Sequence, residues 1–474
     1  MPARKRVVLY NPEAVFHDMP LALLAIGSSL DRDRFEVVII DARVDADAHR
    51  RVLDAADGAV CLGVTALTGR PLRDALALTR KVKSAHPSLP IVWGGWHPSL
   101  FATEVLRGEP SVDVTVQAQG EETFRELVDR LDAGLSLVGL PGTTIRGRDG
   151  DVIRNPARPL VNLNALPRVD YALIDLEPYF KAKGRRQLDY ISSTGCHFRC
   201  AFCADPEVFG RTWTAIEPAR MGDELDFLYR RYGYTDINFQ DETFFTQPRR
   251  VAAFAEELLR RDIKTTWAGT MRADQGFRMT DDDFDLVKRS GLRRVLVGVE
   301  SGSQEMMDWL KKDIRIDQVY RVAERCRRLG IEAIFPFIVG FPGETDQSFR
   351  ATLDMAHRLR AMAPGFATPI FYFKPYPGSS ITKDAVEQGF SLPDSLEAWS
   401  DFDYVAGSSG PWVTPERFRL VERFKFYNKA SHYPAPWYMQ PFAWLARQRM
   451  KREFFDFPFE KKLAEWALPQ PRLS

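Results

Sequence analysis

Three of the five cysteines in this 474-residue chain fall within eight residues of one another, in Ser193-Thr194-Gly195-Cys196-His197-Phe198-Arg199-Cys200-Ala201-Phe202-Cys203. Clustered thiols of this kind do not resemble the spread framework of a disulfide-bonded secreted chain. With three and two residues between them, Cys196, Cys200 and Cys203 can wrap their thiolates around one face of a [4Fe–4S] cubane. The other two cysteines read as small core residues. Cys61 lies in an apolar strand pattern, and Cys326 lies in a helical one beside Val322, Ala323 and Leu329. A cluster held by only three thiolates leaves one iron open to a reactant. The competing reading is a zinc site completed by His197. Its immediate adjacency to Cys196 makes tetrahedral closure awkward.

The elements that must position these thiols read as α/β, in four parts. Residues 1–135 alternate apolar runs with helical patterns: Val7–Tyr10, Val37–Ile40, Ala59–Val64, Ile91–Trp93 and Val112–Val116 predict buried strands, and Leu72 to Ser84 predicts a helix. That order predicts a doubly wound, Rossmann- or flavodoxin-like parallel sheet. Residues 136–185 read as a connector, with a hairpin of Thr143–Arg146 and Val152–Arg154 turning through Arg148-Asp149-Gly150-Asp151. Residues 186–395 predict a partial or full barrel of six βα units. Its strands are Leu188–Ser192, Asp236–Gln240, Thr265–Gly269, Arg294–Val299, Ala333–Val339 and Pro369–Phe373. Chemistry on such a barrel lies at the carboxyl ends of the strands, where the cysteines follow the first. Residues 396–474 predict a mostly helical, aromatic-rich region. Phe424–Tyr427, His432-Tyr433, Trp437-Tyr438, Phe442, Trp444 and Phe454–Phe459 read there as helices packed on the barrel, or as a lid or shallow membrane contact.

Taken together, the CxxxCxxC stretch with Phe202 before its last cysteine, at the end of a first barrel strand, resembles the radical S-adenosylmethionine (SAM) superfamily. The resemblance extends through residues 186–395. It implies that the open iron chelates the methionyl amine and carboxylate of SAM, and that the deoxyadenosyl radical released on reductive cleavage abstracts hydrogen from a substrate. Reduced ferredoxin or flavodoxin is the implied electron donor. Gln240, Asp241 and Glu242, ending the second strand, are then expected near the methionyl amine, and Arg272 near the carboxylate. Glu300 and Ser301 are expected at the ribose, and Ile338 and Gly340 near adenine.

A doubly wound domain ahead of such a barrel resembles the cobalamin-binding radical enzymes, among them the anaerobic Mg-protoporphyrin monomethyl ester cyclase and many C-methylases. The matching loops contain Thr65, Leu67 and Thr68; Gly94, Gly95, Trp96 and His97; and Gly120 and Glu121. These residues are expected along the corrinoid and its nucleotide tail. No Asp-x-His-x-x-Gly motif offers a lower cobalt ligand, and His97, between a Gly-Gly turn and Pro98, reads as a loop-orienting residue. Trp96 reads as facing the corrin or packing in the core. The resemblance implies methylation of an unactivated carbon, cyclisation or oxidation without net methyl transfer, or a non-catalytic corrinoid sensor. Only Cys61 lies in the first domain and no cysteine follows Cys326, which excludes the methylthiotransferases and enzymes with auxiliary clusters.

Bulk properties narrow the partners. A formal net charge of +1 supplies no global field toward nucleic acid or an anionic membrane. No run approaches the ~18 apolar residues of a membrane span, and Val7–Tyr10 is too short for a signal sequence. The expected setting is the cytoplasm, and the expected partner a small, apolar substrate.

Overall fold

A computed structural model describes residues 4–147, 149–402, 412–432 and 437–462. The first three residues, Arg148 of the expected turn and Tyr433 of the aromatic tail lie outside the described residues, as does the Tyr438 side chain.

The first domain is a sheet built on β1 (Lys5–Asn11), β2 (Phe35–Asp41), β3 (Cys61–Thr65), β4 (Ile91–Gly94) and β5 (Val114–Val116), all parallel, in the order β2-β1-β3-β4-β5. The near-continuous apolar run of β1 is buried on both faces. Val7 and Leu9 pack into one helix-covered core, and Val8 and Tyr10 into the other. Because the strand order reverses between β1 and β3, a crevice opens at their carboxyl ends. The hairpin β6 (Thr143–Arg146) and β7 (Val152–Arg154) falls at its expected residues. It is more than a connector, since β6 pairs antiparallel with β5 and closes that edge of the sheet.

The second domain opens with β8 (Gln187–Tyr190), followed by a small antiparallel pair, β9 (Ser193–Gly195) and β10 (Trp213–Ala215). Then come β11 (Asp236–Phe239), β12 (Thr266–Arg272), β13 (Leu292–Gly298), β14 (Glu332–Ile334), β15 (Phe337–Val339), β16 (Phe366–Ala367) and β17 (Ile370–Tyr372). Six of these form a parallel sheet in the order β16-β14-β13-β12-β11-β8, whose outer strands do not pair, so the barrel is partial. The expected fifth strand, Ala333–Val339, is two strands, β14 and β15, and the expected sixth, Pro369–Phe373, is β17, preceded by a separate short strand, β16. Pro336 and Pro369 interrupt them, since a proline has no N–H to give to a ladder. β15 and β17 pair with each other beyond the break. The barrel core centres on Phe239, Phe244, Phe254 and Trp267, with ring centroids 4.1–5.9 Å apart. Burying each such ring is worth roughly 2–3 kcal/mol. Cys61 and Cys326 are fully buried, and burial pushes both thiols up to about 12, as expected of core residues.

Two C-terminal helices, Pro415–Ser431 and Gln440–Arg452, pack on the barrel through Val421, Phe424, Tyr427, Ala446 and Met450. Trp437, Trp444 and Phe457 stay exposed. The short helix Leu396–Ser400 instead joins the core of the first domain through Leu396 and Trp399.

Candidate active site

The cysteine loop hangs from β9. Gly195 has φ +81°, and a Cβ there would sit 2.4 Å from the Thr212 carbonyl, so only glycine lets the chain leave the strand at this angle. Ala201, buried in the loop, ties it to the barrel: its N–H donates to Leu310 O (2.8 Å), and its carbonyl accepts from Ile381 N (3.2 Å). Cys203 N donates to Cys200 O at 3.1 Å, closing a tight turn between the second and third cysteines. Burial pushes the Cys196 thiol up to about 11 and raises Cys203 further. Beside Cys200 stands a cation: Arg272 Nη1 donates to its Sγ at 3.3 Å. Among the described residues no three His, Cys, Asp or Glu side chains converge on a point suited to a single metal ion. Thiolates spread around a cubane need not meet at one point, and this donor set of three soft sulfurs suits iron–sulfur chemistry.

Several expected residues join this loop. Arg272, the last residue of β12, lies 3.8 Å over the Phe198 ring and also donates to the carbonyl of Lys312. Lys312 Nζ pairs with Glu300 Oε1 at 2.7 Å and sits 5.5 Å from the Phe202 ring centroid. Glu300 holds φ +68°, and Ile338 N donates to its carbonyl, stitching the end of β13 to β15. Gly340, at φ +79°, donates from its N–H to Glu344 Oε2 at 2.8 Å, and burial pushes the Glu344 carboxyl up to about 7.

Other expected residues face inward. Asp241 is buried and accepts from Ser192 Oγ (2.7 Å), Ser192 N and Ser193 Oγ, which locks the end of β8 to β11. Ser301 Oγ bonds Thr352 Oγ1 and accepts from Ser303 N, holding its own turn.

Between the strand ends of the two domains lies a cavity of about 410 Å³. Gly63, Thr65, Leu67, Gly94, Gly95, Trp96, Gly120 and Glu121 line it from the first domain, and Thr194, Gln240 and Glu242 from the barrel. A Cβ on Gly95, at φ +96°, would sit 3.0 Å from the Ala66 carbonyl oxygen, tighter than an ordinary contact, and a Cβ on Gly94 would meet nothing nearer than 3.9 Å. Four glycines, Gly63, Gly94, Gly95 and Gly120, thus bare backbone on this wall between the side chains of Leu67, Trp96 and Phe124. Trp96 lines the cavity while its ring meets Phe209 edge-on at 5.9 Å, bridging the domains. Glu242 is half-buried, with its Oε2 buried and unpartnered, and desolvation, with Asp205 nearby, pushes its carboxyl up to about 8. An unpartnered buried carboxylate suits a cationic ligand group. Burial likewise raises Glu121. His97 and Thr68 do not line the cavity. They hydrogen-bond each other at 3.0 Å, and His97, driven down to about 3 by burial, packs against Phe101 and Trp399.

The sequence reading missed the cavity's third side: Asp18, Arg43, Ile191, Phe209 and the helix Leu21–Ser28, whose Leu21, Ala22, Ala25 and Ile26 face it. One signal was present. That helix is apolar all round, so it must bury a second face besides the one on its own sheet.

Residues 190–356 match the Radical SAM superfamily, and residues 5–128 match the B12 binding domain. The chain is a B12-binding-domain radical SAM enzyme. Its cofactors are a [4Fe–4S] cluster and SAM in the barrel and cobalamin in the first domain. The enzyme is 28% identical over 386 residues to an uncharacterized methyltransferase of Pyrococcus horikoshii, covering 81% of this chain and 82% of that one. It is 26% identical over 335 residues to the anaerobic magnesium-protoporphyrin IX monomethyl ester cyclase of Synechocystis, covering 70% of this chain and 66% of the cyclase. Its fold is similar to that of the radical SAM methyltransferase TsrM from Kitasatospora setae, solved with tryptophan substrate and a SAM analogue (TM-score 0.71, 19% identity, 91% of each chain). No helix among the described residues is long and apolar enough to cross a membrane.

Proposed function

We propose that this enzyme methylates an unactivated carbon of a small organic or lipid-like substrate. One observation carries the reading: a single cavity is walled on one side by the glycine-rich strand ends of the B12 binding domain and on the other by Thr194, Gln240 and Glu242 of the radical SAM domain. When bound, SAM on the cluster supplies a hydrogen-abstracting radical and cobalamin supplies methyl, so both must reach the same carbon.

The chain's residues do the aligning. Glu242 accepts hydrogen bonds from a cationic amine, with Gln240 beside it. Glu300, held by Lys312, and Ser301 shape the turn for a ribose, and Ile338 and Gly340 present backbone to a purine. Thr65, Leu67, Gly94, Gly95, Trp96, Gly120 and Glu121 lie against the corrinoid, while Thr68 and His97 brace that wall from behind. Leu21, Ala25 and Ile26 keep water from a reacting radical and suit an apolar substrate.

The similarity to the magnesium-protoporphyrin cyclase favours a second reading, cyclisation or oxidation without net methyl transfer. Methyl accounting separates the two. Anaerobically reconstituted, reduced enzyme is given methyl-labelled SAM and candidate substrates, and product and deoxyadenosine are measured together. Label in the product is expected. Deoxyadenosine formed with an altered but unlabelled product would overturn methylation in favour of cyclisation or oxidation.

A further inference from the structure

We infer that Arg272 is a positioning residue for the iron–sulfur cluster that sets its reduction potential, rather than the clamp for the SAM carboxylate. The inference rests on the cluster alone and stands whether the reaction is methylation or cyclisation. Each of the three guanidinium nitrogens already has a partner. Nε donates to Asp274 Oδ1 at 2.9 Å, Nη2 to the Lys312 carbonyl, and Nη1 to Cys200 Sγ at 3.3 Å. The guanidinium carbon lies over the Phe198 ring, 3.8 Å from its centroid, and Phe198 belongs to the same cysteine loop. Its backbone is held as well, as Arg272 N donates to Gln275 Oε1 at 2.9 Å at the start of the helix Ala273–Arg278. The side chain is 8% exposed, so it cannot swing away to a new partner without leaving Asp274 and the Lys312 carbonyl behind.

A buried cation donating N–H to a ligating sulfur stabilises the more negative, reduced cluster and so raises its potential. Asp274 offsets part of that charge and fixes the guanidinium plane. The stacked fork is specific to arginine. Lysine would keep the charge but lose both the ring contact and the parallel N–H groups.

The test is an EPR-monitored redox titration of reconstituted wild type, Arg272→Lys and Arg272→Met, with iron content and SAM affinity measured on the same samples. The expected result is a midpoint shifted to more negative potential in Arg272→Met, with a smaller shift in Arg272→Lys and SAM affinity unchanged. Should Arg272→Met fail to assemble a cluster, Phe198→Leu provides the second reading. It removes the stack but keeps the donor, and its midpoint is expected to fall in the same direction. Unchanged midpoints at full iron content, with SAM affinity lost in Arg272→Met, would overturn the assignment and return Arg272 to the carboxylate.

Discussion

Glu242 is a carboxyl without a hydrogen-bond partner for one of its oxygens, inside a cavity that desolvates it. Its folded value is raised to about 8, so between roughly pH 4.5 and pH 8 the folded apo protein holds a proton that the unfolded chain has released. Stability therefore falls as pH rises through that window. Glu242→Gln removes this dependence. The variant's advantage in apo stability is expected to grow from pH 5 to pH 8, reaching on the order of 3 kcal/mol, and then level off. Denaturant melts at four pH values check it; a gap that does not change with pH refutes it. The cysteine loop lies apart from that cavity. None of the three cysteines lines the cavity. Cys200→Ala is expected to lose the iron–sulfur absorbance while retaining bound corrin after reconstitution, read from the two visible spectra of one sample.

At the scale of elements, the short pair β9 and β10 matters beyond its size, because it launches the cysteine loop. Gly195→Ala would force a Cβ to 2.4 Å from the Thr212 carbonyl at φ +81°. Relieving that contact is expected to cost roughly 2–3 kcal/mol. A lowered thermal midpoint and reduced iron retention, compared with Gly210→Ala, where a Cβ meets nothing within 4 Å, isolate the clash from the general cost of a left-handed alanine. The proline breaks act in the same way. By ending β14 and β16 early, Pro336 and Pro369 leave β15 and β17 to pair with each other as a separate two-stranded sheet, which carries Ile338 and leads into Gly340.

At the scale of the whole molecule, the cavity belongs to neither domain. Its first wall is the crevice at the strand reversal of one sheet, and its second is the open end of a partial barrel. The helix Leu21–Ser28 and the Trp96–Phe209 contact hold the two together. Ala25→Trp places a large ring in that space from a side chain already facing it. It is expected to weaken cobalamin retention tenfold or more, or ~1.4 kcal/mol, with iron content unchanged. Corrin and iron quantified after gel filtration check this, and equal retention of corrin would place the cofactor elsewhere.

The sequence alone placed three cysteines in one loop, and it set the two α/β domains and the order of their strand-end loops. These are local properties, since spacing along the chain sets which thiols share a loop, and apolar runs set which segments are strands. The hairpin at Thr143–Arg146 and Val152–Arg154 was legible for the same reason, because an Asp-Gly turn needs no distant partner. What the strand ends would do was not legible. Asp241, Ser301, Thr68 and His97 sit in the expected loops yet spend their side chains on neighbours that come close only in the folded chain, 48 residues away for Ser193 and Asp241. The Leu21–Ser28 helix, Phe209 and the Arg272–Cys200 contact became part of the site through packing between segments up to some 200 residues apart. No period or motif encodes that. Which side chain reaches a cavity and which braces its wall is decided by tertiary contacts, because each polar group buried on folding must find whichever partner the packing brings near.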